Sequence, residues 1–220
     1  MSQNELFEVP EPRVGDVETA LRERGVKSVI GVDEAGRGPL AGPVVAAAYW
    51  LDLRASSMDA LQGVDDSKRL DAAGRDAFFE TLTEAAAPFA IASMPASVID
   101  EINILQATFR AMEQAVDEVV DTAGEHPDLV LIDGNLAIPG GQWKQRAIVK
   151  GDQCSLAIAA ASILAKVSRD RLMCDAGDTW PHYGFASHKG YGTPQHRRAL
   201  EEYGPCSLHR RSFAGVVNDE

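Results

Sequence analysis

The chain has 220 residues, 45% of them apolar, which predicts one domain able to bury a core of ordinary size. No run of ~18 uncharged apolar residues occurs, which excludes a membrane-spanning helix. The formal net charge of −12 argues against a protein that is basic throughout, yet Lys144 to Arg211 holds 11 Lys+Arg against 6 Asp+Glu while the remainder holds 10 against 27. A polyanion can therefore dock on one face while the rest of the surface stays acidic.

Residues 1–25 read as a mobile lead-in. Met1 to Gly15 is polar and acidic, carries Pro10 and Pro12, and lacks the basic start and apolar stretch of a secretion signal. Residues 26–217 read as a single domain with no internal linker. Ser28 to Asp33 (SVIGVD) is a short apolar run closed by an acid, the pattern of a buried strand. Gly42 to Leu51 (GPVVAAAYWL) predicts a second strand, entered through Gly38-Pro39 and Pro43. Phe89 to Met94 (FAIASM) predicts a third. Ser97 opens a helix with Asp100 as its capping-box partner. Along it Ile102, Leu105, Phe109, Met112, Val116 and Val119 recur at three or four residues, and it runs to about Gly124.

Leu129 to Asp133 (LVLID) is a clean buried strand stopped by Gly134-Asn135, and Arg146 to Val149 a shorter one. Ser155 to Met173 predicts a second long helix, Ala-rich on its early turns so that it can pack close. A last helix starts after Thr193-Pro194, where proline fits the first turn. Strands interleaved with helices predict a mixed α/β sheet.

Chemistry gathers at the strand ends. Asp33-Glu34 closes the first strand, Asp133 closes LVLID, and Asp152 follows the short strand in Val149-Lys150-Gly151-Asp152. Four carboxylates held together repel, so one protonates unless a cation neutralises them. Carboxylates with water suit a hard divalent ion, Mg²⁺ or Mn²⁺, which takes phosphate oxygens as its remaining ligands. Each acid alone also has an ordinary explanation: Asp133-Gly134 as a turn, Asp152 as a helix cap. Asp65-Asp66 is a rival pair in a loop-like setting. Gly36 and Gly38 let the backbone approach a ligand with no Cβ in the way, while Arg37 is equally an ordinary salt-bridge partner.

Toward the C-terminus basic and aromatic residues mingle: His182, Tyr183, His188, Lys189, Tyr191, His196 to Arg198, and His209 to Arg211. Such residues grip phosphates and stack on sugars, although a patch of this kind is also ordinary exposed surface. The three cysteines, Cys154, Cys174 and Cys206, are odd in number and lack metal-ligand spacing, which fits a reduced cytoplasm and not a zinc site.

The run Asp33-Glu34-Ala35-Gly36-Arg37-Gly38-Pro39-Leu40-Ala41-Gly42-Pro43-Val44 resembles the opening signature of ribonuclease HII. Asp66-Ser67-Lys68, Asn103-Ile104, Ile132-Asp133-Gly134, Lys150-Gly151-Asp152, Ala160 to Val167, His188 to Thr193 and His209 to Phe213 follow in that family's order. The likeness covers roughly Val26 to Val217. It implies a ribonuclease-H-like fold, a five-stranded mixed sheet flanked by helices. It also implies that Asp33, Glu34, Asp133 and Asp152 are the catalytic, metal-holding acids. By the same resemblance Gly36, Arg37 and Gly38 read a ribose 2′-hydroxyl, the mark of RNA, and Tyr191 lies on the neighbouring deoxyribose. Ser67 belongs to the substrate-contacting set, and Lys68, Lys150 and Lys189 are the expected phosphate contacts. Asp170 is expected to ion-pair rather than to bind metal.

The implied activity is a cytoplasmic, monomeric endonuclease that cuts the RNA strand of RNA–DNA hybrids, single embedded ribonucleotides included. Two divalent ions, Mg²⁺ or Mn²⁺, ~3.5–4 Å apart would activate water for in-line attack, leaving 5′-phosphate and 3′-hydroxyl ends. Two rivals stay open: a metal-dependent phosphatase on small phosphoesters, which needs the acids but not the basic and aromatic patch, and a hybrid-duplex binding module without catalysis.

Overall fold

A computed structural model of the protein describes residues 13–54, 61 and 71–216. Its centre is a five-stranded sheet in the order β3-β2-β1-β4-β5, formed by β1 (Ser28–Ala35), β2 (Val44–Asp52), β3 (Phe89–Met94), β4 (Leu129–Asp133) and β5 (Gln145–Ile148). The first three strands pair antiparallel, whereas β4 runs parallel to β1 and β5 parallel to β4. The sheet is therefore mixed, and it has the ribonuclease-H-like architecture expected.

Strand alternation assigns the two faces. Val29 and Leu131 point toward α4 (Leu156–Thr179), and Gly31 lies under that helix so closely that a Cβ would stand 2.0 Å from the Ala157 carbonyl carbon. Ile30, Val32, Ala46 and Ala48 point the other way, onto α3 (Ala96–Ala123). The alanines early in α4 allow this close seating, as the sequence implied.

Several boundaries differ from expectation. β1 continues two residues beyond Asp33, to Ala35. β2 begins at Val44, not Gly42, because Gly42 is left-handed at φ 89° and Pro43 has no N–H for the ladder. β5 is shifted by one residue and leaves Val149 67% exposed. The expected Ser97–Asp100 capping box is absent. α3 starts one residue earlier behind Pro95, and the Asp100 carboxylate accepts instead from the Arg211 and Ser212 amides, both at 2.9 Å. α3 also breaks at Asn103 (φ 68°, ψ 164°), whose Oδ1 accepts from the Leu105 and Gln106 amides and so caps the second segment.

Three α-helices among the described residues were not anticipated. α2 (Ala72–Glu84) is capped by Asp71, which accepts from the Gly74 amide at 2.8 Å. α1 (Asp16–Glu23) falls inside the stretch read as a mobile lead-in, and this corrects that reading for its own residues. Glu18 is wholly buried and accepts from Ser155 Oγ at 2.5 Å and the Ala157 amide at 3.2 Å, so it joins Ser155 in capping α4. Beyond α4 lie the short α5 (Phe185–His188), the third unanticipated helix, and α6 (Pro194–Tyr203). α6 carries Pro194 in its first turn, as the sequence predicted, and is capped by Thr193, whose hydroxyl accepts from the His196 amide. Together with Leu40, Ala41 and Met173 this end of the chain builds a third apolar cluster.

Candidate active site

The acids lie where β1, β4 and β5 end. Val32 pairs with Ile132 in the parallel β1–β4 ladder, so the next residues, Asp33 and Asp133, follow side by side. Alternation turns both toward the α4 face, where nearby Ser162 favours the charged Asp33 carboxylate. Asp33 is buried, and its Oδ1 also accepts from the Glu34 amide at 2.7 Å. Burial first, then the charges of Glu34 and Asp133, hold its pKa well above the usual carboxylate range. Glu34 points to the opposite face of the strand and pairs with Arg37 at 3.2 Å. Burial raises it, Arg37 opposes that, and Asp133 adds to it.

Asp133 accepts from the Gly151 amide at 2.6 Å, a contact that ties the end of β4 to the turn Gly151–Gln153. Gly151 has no room for a side chain, because a Cβ would lie 2.5 Å from Ile158 Cδ1. Asp152 sits on that turn, and its charge helps raise Asp133, although burial is the larger cause. The helix cap nearby is Ser155, so the capping explanation for Asp152 does not hold.

The four expected acids thus share one end of the sheet, each feeling at least one neighbour's charge. As they stand, no group of three His, Cys, Asp or Glu side chains among the described residues is close enough to hold a metal ion. In donor chemistry the set fits a hard divalent cation, being all carboxylate oxygen and mutually repulsive.

The expected substrate contacts divide. Gly36 is left-handed at φ 91°, and a Cβ there would fall 1.8 Å from Arg169 Nε, so its missing side chain makes room for a buried arginine before any ligand. Gly38 is exposed, with the Tyr191 ring 3.8 Å from where its Cβ would be, and Tyr191 is 49% exposed. Arg37 is exposed beside Glu34. Lys150 is exposed on its turn at φ 56°. The Lys189 ammonium turns to the Ala186 carbonyl and Cys174 Sγ, not to the acids. Ser67 and Lys68, with the rival pair Asp65-Asp66, lie outside the described residues. Asp170 pairs with Lys166 at 2.6 Å, as expected.

The C-terminal patch is exposed only in part: His182, Tyr191, Arg197, Arg198 and Arg211 face outward, but other members do not. Tyr183, His196, His209 and Arg210 are buried. The Cys206 amide donates to His209 Nδ1 at 2.9 Å, so in a neutral ring Nε2 carries the proton and donates to His196 Nε2 at 3.0 Å. His196 Nδ1–H then donates to the Tyr191 carbonyl at 2.9 Å. Burial and the mutual proximity of the rings push His209 down to about 4. The chain of two imidazoles thus ends on the main chain of Tyr191. Ser162, Arg169, His196, His209 and Arg210 are not singled out by the sequence as individual functional residues, and only Arg210 and the histidines stand out there by their basic and aromatic surroundings.

Comparison with known proteins places the sequence and the fold. The profile of the family Ribonuclease HII matches residues 30–216. A ribonuclease HII of Geotalea uraniireducens strain Rf4 is 49% identical over 205 residues, 93% of this chain and 91% of that protein. The crystal structure of ribonuclease H2 from Pyrococcus horikoshii OT3 superimposes with a TM-score of 0.71 at 26% identity, over 86% of this chain and 95% of that one. Bst-RNase HIII in complex with Mn²⁺ shares the fold alone, with a TM-score of 0.74 at 20% identity over 90% of this chain and 70% of that one. The chain belongs to the ribonuclease HII family, nucleases that act on RNA–DNA hybrids.

Proposed function

We propose that the chain is an endonuclease that hydrolyses the RNA strand of RNA–DNA hybrids, including single ribonucleotides embedded in DNA, on the 5′ side of the ribonucleotide. The observation that carries this reading is that Asp33 and Asp133, each next after the last paired residues Val32 and Ile132, lie on one face of adjacent parallel strands, beside a glycine loop flanked by an exposed tyrosine ring.

Asp33, Glu34, Asp133 and Asp152 would hold divalent ions, Mg²⁺ or Mn²⁺. When bound, such ions supply a water of lowered pKa and charge neutralisation at the phosphoryl oxygens. The chain's own residues do the rest. The Glu34 amide orients Asp33, and the Gly151 amide orients Asp133. Glu34 would exchange Arg37 for the ion, which frees the guanidinium for a phosphate. The Gly36–Gly38 backbone reads the 2′-hydroxyl, and Tyr191 lies against the deoxyribose beside it. Lys150, with Ser67 and Lys68, grips flanking phosphates. Lys189 would have to leave the Ala186 carbonyl to join them. The ribose hydroxyl is then a recognition handle and not the nucleophile, so the products carry 5′-phosphate and 3′-hydroxyl ends.

The relatives are bacterial, which supports action in the cytoplasm, where bacterial DNA lies. The test is a cleavage ladder on a DNA duplex with one embedded ribonucleotide. One cut 5′ to the ribonucleotide in Mg²⁺ or Mn²⁺ is expected, with Asp33→Asn folded and inactive. Hydrolysis of a generic phosphoester without cleavage of the duplex would transfer the site to the phosphatase reading. Binding without any product would make the chain a non-catalytic module.

A further inference from the structure

Two arginines lie beneath the loop assigned to the ribose, Arg210 at 0% exposure and Arg169 at 1%. Among the described residues neither has a carboxylate within ion-pair distance, and both bond to main-chain carbonyls. Arg210 Nη2 donates to Gly36 O at 2.5 Å, Nη1 to Arg37 O at 2.9 Å and Nε to Gly42 O at 3.0 Å. Arg169 donates from Nε to Pro43 O and from Nη2 to Ala41 O and Lys189 O, at 3.0 to 3.2 Å. An apolar side chain would fill the same volume without desolvating a charge, so volume alone does not explain two guanidinium groups there.

The peptide plane supplies the consequence. In a trans peptide C=O and N–H point in opposite directions. With the Gly36 and Arg37 carbonyls drawn inward to Arg210, the amides that share those planes, Arg37 N–H and Gly38 N–H, face outward. No described residue accepts from either amide, and the Tyr191 ring borders them at Gly38. Two parallel unpartnered donors at an exposed loop suit an oxygen acceptor of a sugar or phosphate.

We propose that Arg210, assisted by Arg169, is a positioning residue for ribonucleotide recognition, presetting the Gly36–Gly38 loop with its amides turned toward the substrate. This rests on the functional reading above and adds the device that makes the loop rigid before binding, so that ordering it costs the substrate little. Arg210 is itself fixed from two sides. Asp100 at the start of α3 accepts from the Arg211 and Ser212 amides and from Ser212 Oγ, and the Phe213 ring lies 5.1 Å from the guanidinium carbon. The planar fork of arginine meets three separated carbonyls from three nitrogens, whereas the three donors of a lysine ammonium radiate from one atom.

The experiment compares affinities in an Asp133→Asn background with Mg²⁺ present. The probes are a DNA duplex carrying one ribonucleotide and the same duplex in DNA alone. Arg210→Lys is expected to lower the ratio of the two affinities about tenfold, with the all-DNA affinity changed less than about twofold. Asp100→Ala, which leaves the guanidinium in place but releases its segment, is expected to lower the ratio about threefold, and decides the question should Arg210→Lys fail to fold. An undiminished ratio in folded Arg210→Lys, or in Asp100→Ala where the first variant does not fold, overturns the inference. Equal loss on both probes overturns it too, since that is what a merely structural role gives. A background protein with no preference for the ribonucleotide overturns the functional reading itself, an outcome distinct from the other two.

Discussion

The two halves of the site handle charge in opposite ways. At the ends of β1, β4 and β5, acids of one sign are brought together and left only partly compensated, so that burial and mutual repulsion raise Asp33, Glu34 and Asp133. Under the Gly36–Gly38 loop and Tyr191, cations and imidazoles are buried with their hydrogen bonds aimed at main-chain groups, and the chain is held fixed. The first region stores electrostatic cost that a cation relieves. The second turns side-chain donors into backbone geometry. Chemistry is therefore expected to fail when a charge is removed from the first, and shape when a donor is removed from the second.

The largest expected effect falls on the acids. Asp133→Asn removes a ligand charge yet keeps an oxygen to accept from the Gly151 amide. Cleavage should fall by at least about a thousandfold, of order 4 kcal/mol in the barrier, with the melting temperature unchanged or raised as repulsion with Asp33 and Asp152 is relieved. Single-turnover assays alongside thermal melts check both parts. Retained turnover would mean that the acids are not the reacting centre.

The imidazole pair gives the next effect, in stability. His209 is pushed down to about 4, below its unfolded value of ~6.5, by burial, by His196 and by Arg211. Cys206 and the Tyr183 ring also face it. A group that binds its proton more weakly when folded stabilises the fold fully above ~6.5, and that contribution is lost as pH falls toward about 4. The loss approaches about 3 kcal/mol at the acid end. Because raised carboxylates such as Asp33 act in the opposite sense over acid pH, the measurement is a difference. Urea midpoints of the wild type and His209→Asn should diverge less at about pH 5 than at about pH 7.5. A pH-independent gap would show that the ring titrates as in the unfolded chain.

The loop glycines sharpen the contrast within three residues. Gly36→Ala puts a Cβ on Arg169 and forces φ 91° on an L-residue, so a loss of about 2–3 kcal/mol is expected. Gly38→Ala meets only van der Waals contact with the Tyr191 ring and should cost under about 1 kcal/mol while weakening substrate binding. Denaturation curves paired with hybrid titrations separate the two, and the reverse order of stability loss would undo the assignment of Gly36 to packing.

The same division decided what the sequence disclosed. β3 and β4 were legible to the residue because FAIASM is a largely apolar run bounded by Pro88 and Pro95, and LVLID one bounded by Asp128 and the Asp133-Gly134 turn. The acids were legible because strand ends and parallel pairing bring Asp33 and Asp133 together. α1 stayed hidden because its anchor, Glu18, is a charged residue that looks exposed until Ser155 and Ala157 surround it. Asp100 looked like a capping-box acid, since nothing local shows that a segment 111 residues away will take its oxygens. Arg210 and His209 are the clearest cases. Residue type predicts exposure for both, and only the long-range closure of 209–210 onto Leu40 and Ala41 buries them.

The smallest expected effect tests whether burial, not residue type, is what distinguishes the arginines. Arg171 lies two residues after Arg169 on α4, yet its side chain is 47% exposed, pairs with Asp76 and Glu80 on α2, and stacks over Phe79 at 4.3 Å. Exposed ion pairs contribute about 0–1 kcal/mol and an exposed cation–π contact about 0.5–1. Arg171→Ala should therefore lower stability by about 1 kcal/mol, lose part of that effect in high salt, and leave the preference for a ribonucleotide intact. Arg169→Ala removes three bonds to carbonyls in the dry interior and should affect both stability and preference. If salt-dependent melts and paired-duplex titrations found the two variants alike, the carbonyl-bound guanidinium groups would have no special claim on the loop they support.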